Sequence, residues 1–66
     1  MDSRIIENSV VQVNENGDID WVGCLVQVSE VKSFGVQGWV QVPKSGKTFI
    51  RIKFSEIDYI GQAVMA

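Results

Sequence analysis

The chain has 66 residues, a net charge of −2, 45% apolar residues and 21% charged residues, which indicates one small globular domain rather than a disordered segment. One cysteine and no histidine exclude an internal disulfide, a thiolate metal site and a histidine general base. No apolar run approaches the roughly 20 residues of a membrane helix, and the N-terminus lacks the pattern of a signal peptide. We therefore expect a cytoplasmic protein with no membrane contact.

The first half of the chain predicts two strands. SVVQV at 9–13 is short and rich in β-branched residues, which favours a strand. NENGD at 14–18 follows, and its Asn16-Gly17 pair is typical of a turn. WVGCLVQVSEVK at 21–32 then predicts a long second strand.

The second half predicts three more strands and a helical turn. SFGVQG at 33–38 indicates a glycine-bearing bend, and WVQVP at 39–43 a third strand that ends at its proline. KSGK at 44–47 is a polar turn before the alternating fourth strand TFIRIKF at 48–54. SEIDYIGQAVM at 55–65 indicates one helical turn and a short last strand, with a bulge at Gly61.

No segment keeps a helical period, so we predict an all-β fold with five short strands in a small barrel or sandwich. The domain spans 1–66, with 1–8 as a flexible N-terminal arm. Because successive strand side chains point to opposite faces, one set of aliphatic residues forms the core. That core comprises Val26, Val28, Val36, Val40, Val42, Ile50, Ile52 and Phe54, supported by Ile57 and Ile60, with Cys24 as a small core residue.

The opposite face of the third and fourth strands carries two aromatic rings, two amides and two cations: Gln37, Trp39, Gln41, Phe49, Arg51 and Lys53. Pairing these strands across residues 43–47 predicts Trp39 beside Arg51, Gln41 beside Phe49, and Gln37 beside Lys53. An arginine beside an exposed tryptophan gains about 0.5–1 kcal/mol from cation–π contact.

Charge is sorted along the chain. Residues 1–30 hold six acids and one base, whereas residues 31–55 hold five bases, with Glu56 the next acid. This asymmetry predicts a basic face to which Lys32, Lys44 and Lys47 contribute, in addition to Arg51 and Lys53. Three interpretations of the Trp39 face stay open: another segment covers it, it binds a protein, or its rings stack on single-stranded nucleic acid.

Enzymatic chemistry is not indicated. KSGKT at 44–48 lacks the spacing of a phosphate-binding loop, and the carboxylates near Asp18 match no calcium-loop pattern. We expect no catalytic residues, metal, cofactor or small-molecule substrate.

The segment WVGCLVQVSEVKSFGVQGWVQVP, continued by TFIRIKFSEIDYIGQAVM, resembles small uncharacterised proteins encoded by phages and prophages of Gram-positive bacteria. GCLVQV, EVKSFGVQGWV and IRIKF carry the resemblance, which covers residues 21–65. It implies a bacterial host cytoplasm but no particular activity. The layout is also similar to SH3-like small barrels, including the KOW type, which have five strands with a short helical turn before the last one.

Two functional hypotheses follow. The first is a non-enzymatic interaction module that binds a protein partner or associates with itself as a homo-oligomer. The alternative is a single-stranded nucleic-acid-binding module that uses Trp39, Phe49, Arg51 and Lys53 together with Lys44 and Lys47.

Overall fold

Five antiparallel strands form one sheet in the computed structural model, which describes residues 3–42 and 46–63, with backbone only at 41–42 and 46–47. The strands are β1 (Ser9–Val13), β2 (Leu25–Val31), β3 (Gly35–Val42), β4 (Gly46–Lys53) and β5 (Ile57–Gln62), and a 3₁₀ turn (Phe54–Glu56) precedes β5. The spatial order is β4-β3-β2-β1-β5. The predicted all-β class is confirmed. The edge strands β4 and β5 do not pair within the described residues, so the sheet is not closed into a barrel.

β1 has the predicted bounds, whereas β2 begins later than the prediction at 21. The backbone N–H of Cys24 donates to the Trp21 carbonyl at 2.9 Å, which closes a turn. Gly23 adopts a φ of 85°, a conformation that strands do not use and that glycine tolerates. The connection from β1 to β2 is therefore a long loop that ends in a tight turn.

The predicted bend at 33–38 is wrong from Gly35 onward, because Gly35 begins β3 and Gly38 lies inside it. A Cβ at Gly38 would overlap the carbonyl oxygen of Gln27 and lie 2.9 Å from its carbonyl carbon. Gly35 is similarly closed off by the backbone of Ile52. These glycines therefore allow neighbouring strands to approach closely, and an extra residue in β2, Ser29, makes a bulge opposite Gly38 and Gln37.

The register between β3 and β4 differs from the prediction by two residues. Trp39 pairs with Phe49, Gln37 with Arg51, and Gly35 with Lys53. β4 already begins at Gly46, so the predicted neighbours Trp39–Arg51, Gln41–Phe49 and Gln37–Lys53 are wrong. A two-residue shift keeps every side chain on its predicted face, because the side-chain period of a strand is two.

The core lies on one face of the sheet, as predicted. The predicted residues Val26, Val28, Val36, Val40, Ile52 and Ile57 are buried, and Cys24, Ile50 and Phe54 pack against them half-buried. The prediction that Ile60 supports the core is wrong, because this residue is 53% exposed. It is the extra residue of a bulge in β5 beside Gly61, the predicted bulge position. The side chain of Val42 lies outside the described part.

The N-terminal segment packs onto this core through Ile5, and β1 adds Val11 and Val13. The buried Ser9 hydroxyl accepts from the Ile6 N–H at 2.8 Å. It also accepts from the Gln62 side-chain amide at 2.9 Å and donates to the Arg4 carbonyl at 3.1 Å. Residues 3–9 are thereby joined to both β1 and β5.

Candidate functional site

The face of the sheet opposite the core, here called the outer face, carries one continuous row of cross-strand partners. Val10 pairs with Gln27, Gln27 with Trp39, and Trp39 with Phe49, so the row crosses four strands. Val10, Gln27 and Trp39 each stand next to a buried core residue in sequence, and Phe49 stands next to Ile50, which packs against the core. Because successive strand side chains alternate, these four side chains point away from the core. The core therefore holds the row in place from beneath.

Trp39 and Phe49 are the two large rings of this row. Their ring centroids lie 4.9 Å apart at an interplanar angle of 74°, an edge-to-face contact. Each residue is 42% exposed. The interpretation in which other segments cover this surface therefore does not apply to these two rings.

The polar members of the predicted site surround the rings. Gln37 and Arg51 are cross-strand partners two residues along each strand from the Trp39–Phe49 pair. Lys53 lies two residues further along β4. Gln41 pairs with Lys47 through the backbone on the other side. The structure thus places Gln37, Trp39, Phe49, Arg51 and Lys53 on one face. The side chain of Gln41 lies outside the described part of the chain.

Cation–π contact occurs elsewhere than predicted. The Arg4 guanidinium carbon lies 4.3 Å from the centroid of the Tyr59 ring, on β5. Arg51 is exposed and pairs across the strands with an amide rather than with the indole.

The other predicted basic residues differ in position. The Lys32 ammonium lies 2.8 Å from a carboxylate oxygen of Glu30. The pKa of the Glu30 carboxyl is lowered below its usual range. The hydrogen bond to Lys32 is the larger cause, and the positive charge of Lys32 is the smaller one. Lys44 lies outside the described residues, and Lys47 is placed by its backbone alone.

The outer face also carries residues that the sequence interpretation did not include in the site. Val10 pairs with Gln27, and Gln12 pairs with Leu25, whose side chain is 43% exposed. Valines occupy both faces of β1, so the alternation of polar and apolar residues does not distinguish its two faces. In β2, by contrast, Gln27 lies between two core valines, and this pattern predicts that its side chain is on the outer face. Ile60, exposed at the bulge beside Gly61, adds apolar surface near Val10 on β5.

Residues that could carry other chemistry are few. No group of three or more potential metal-ligating side chains occurs within residues 3–42 and 46–63. Across that same part of the chain, no helix has the length and apolar character that a membrane crossing requires. Cys24 is a free, half-buried thiol packed against the core.

Comparison with known proteins found no match among family models, curated proteins or solved structures. The function is therefore inferred from the outer face.

Proposed function

We propose that the protein is a non-enzymatic interaction module that binds a protein partner, or a second copy of itself, through its outer face. The observation that carries this proposal is the exposed Trp39–Phe49 pair, which joins β3 to the edge strand β4. Large aromatic residues and arginine are enriched at protein interfaces, whereas scattered single apolar residues need no explanation.

The composition of the outer face suits a protein partner. Two rings and the partly exposed Leu25 supply apolar area, and burying such area contributes about 25 cal/mol per Å². The amides of Gln27 and Gln37 stand beside them as hydrogen-bonding groups, and Arg51 supplies a charge at the rim. An apolar centre with a polar rim is the usual arrangement of a binding surface.

Site-specific photo-crosslinking tests the proposal. A benzophenone amino acid replaces Phe49 in one variant and Ile19 in a control, since Ile19 is 88% exposed in the loop between β1 and β2. After irradiation in bacterial extract, we expect a discrete adduct from position 49 and not from position 19. Equal, diffuse labelling at both positions would refute the proposal.

Light scattering then separates the two kinds of partner. A homo-oligomer gives a concentration-dependent mass and a crosslinked dimer in purified protein. A protein of another kind gives an adduct only in the extract.

Single-stranded nucleic acid is the second candidate, favoured by the position of Phe49 beside Arg51 and Lys53 on β4. The edge-to-face geometry weighs against it, because perpendicular rings do not offer two parallel stacking platforms. Titration with oligo-dT and oligo-U at low salt decides: quenching of tryptophan fluorescence that salt reverses steeply supports nucleic-acid binding. A flat response leaves the protein partner.

We also propose that the fold is an SH3-like small barrel and that the protein is of phage or prophage origin. The strand order, and the 3₁₀ turn between β4 and β5, support an SH3-like small barrel. The resemblance to phage-encoded proteins supports a phage or prophage origin and action in the cytoplasm of a bacterial host.

A further inference from the structure

The strand β4 has an open edge. Within the described residues it pairs with β3 alone, and β5 forms the opposite edge of the sheet. In an antiparallel pair, alternate residues direct their N–H and C=O groups away from the partner strand. An edge strand therefore offers a row of backbone hydrogen-bonding groups to another extended chain.

A cleft of about 250 Å³ has residues of β4 in its lining. The consecutive residues Ile50, Arg51 and Ile52 all line it. Because Ile52 is buried in the core while Arg51 points to the outer face, a cleft bordered by both lies beside the backbone of β4 rather than on one face. Trp21 and Asp18, from the loop between β1 and β2, also line the cleft, together with Val13 of β1 and Glu56 of the 3₁₀ turn.

The two sides of the edge differ chemically. On the outer side stand Phe49, Arg51 and Lys53, and neither cation has an ion-pair partner among residues 3–42 and 46–63. On the other side, Ile50 and Ile52 face the core, and the cleft lining adds Trp21 with the acidic residues Asp18 and Glu56. Acidic side chains are therefore favoured on the outer side and disfavoured on the core side, where apolar side chains fit.

We propose that the β4 edge binds an extended segment of a partner protein in which acidic and apolar residues alternate. The segment adds to the sheet as a sixth strand. Its acidic side chains lie beside Arg51 and Lys53, and its apolar side chains enter the cleft against Trp21. This inference rests on the proposed function and names the kind of partner that the outer face would bind.

The competing explanation is that the cations of β4 only protect an open edge from unwanted pairing, a common use of charge on edge strands. The two explanations make different predictions for the backbone of β4. Strand addition requires backbone hydrogen bonds to the bound segment, whereas protection of the edge by charge requires none.

A designed peptide makes that distinction. The probe is a fluorescein-labelled peptide of five Glu-Val repeats, with two further versions that carry N-methyl groups on all valines or on all glutamates. In an extended strand these two sets of N–H groups point to opposite edges. Fluorescence anisotropy titrations measure the affinity of each peptide. We expect the unmodified peptide and one methylated version to bind with equal affinity, and the other version to bind at least about tenfold more weakly. Equal binding of all three versions, or no binding, overturns the inference.

Amide hydrogen exchange and matched variants complete the test. We expect the bound peptide to slow exchange in 46–53 about tenfold or more and to leave the opposite edge, 57–62, unchanged. Arg51→Gln with Lys53→Gln is expected to weaken binding several-fold, whereas Lys32→Gln, whose cation pairs with Glu30, is not. Protection of β5 instead of β4 overturns the inference. If the peptide fails but the position-49 crosslink persists, this inference falls and the proposed function stands; loss of both removes the proposed function.

Discussion

Trp39 and Phe49 are direct cross-strand partners whose ring centroids lie 4.9 Å apart, yet each is 42% exposed. Val40, the next residue along β3, is fully buried. Neighbouring residues of one strand thus lie on opposite faces, Trp39 on the outer face and Val40 in the core. Substituting each of them compares how much the two faces contribute to the free energy of unfolding.

We expect Trp39→Ala to cost about 1 kcal/mol of unfolding free energy, because it removes one half-exposed ring and its cross-strand contact. Val40→Ala is expected to cost about 2 kcal/mol or more, although it removes far fewer atoms, because it leaves a cavity in a closely packed core. Urea unfolding monitored by circular dichroism measures both. A larger loss for Trp39→Ala would place the indole in the core.

Gly38→Ala is expected to destabilise the protein by about 3 kcal/mol or more, since its Cβ would overlap the Gln27 carbonyl and force β2 and β3 apart. Gly61→Ala is the matched control within the same sheet, because a Cβ there meets no atom within 4 Å. We expect the control to change stability by less than about 0.5 kcal/mol. Similar melting temperatures for both variants would argue against the close approach at Gly38.

Ser9→Ala removes the buried hydroxyl that joins the N-terminal segment to β1 and β5. The Ile6 N–H and the Gln62 amide each lose a partner, so we expect a cost of about 1–3 kcal/mol. Amides 6–9 should also lose hydrogen-exchange protection before the rest of the sheet. Ser33→Ala, at an exposed position, is the control and is expected to be neutral. An unchanged exchange pattern in Ser9→Ala would mean that the packing of Ile5 and the backbone hydrogen bonds of Asn8 to Val28 and Ala63 hold this segment without the hydroxyl.

The Glu30–Lys32 pair predicts a pH effect of defined sign. Because the Lys32 ammonium lowers the pKa of the folded Glu30 carboxyl, the pair stabilises the protein above the pKa of an unfolded glutamate. That contribution is lost as the pH falls through the lowered pKa. A carbon-detected NMR titration should show Glu30 titrating below the usual range, and Lys32→Gln should return it upward. No difference between the two proteins would show that the pair does not form in solution.

Alternation and turn chemistry predicted much of this fold. The bounds of β1, the inward valines of β2 and β3, and the helical turn before β5 follow from local patterns. The face of Trp39 also follows, because a period of two survives an error of two residues in register.

The errors arise where distant strands decide the outcome. Gly35 and Gly38 resemble a bend in sequence, but their role depends on how closely other backbones approach. The bulge in β5 changes the alternation at Ile60, and such a bulge is visible only in its pairing with β1. To predict that Trp39 pairs with Phe49, the length of the β3–β4 connection must be known. The sequence indicated that length only to within two residues.

The most direct test of the central claim, that the outer face binds a partner, is photo-crosslinking from position 49 in a Trp39→Ala background. We expect this variant to keep its circular dichroism spectrum and cooperative unfolding while the discrete adduct disappears, because the indole supplies much of the apolar contact area. A folded variant that still gives the full adduct would contradict a role for Trp39 in binding. A variant that fails to fold would contradict its placement outside the core.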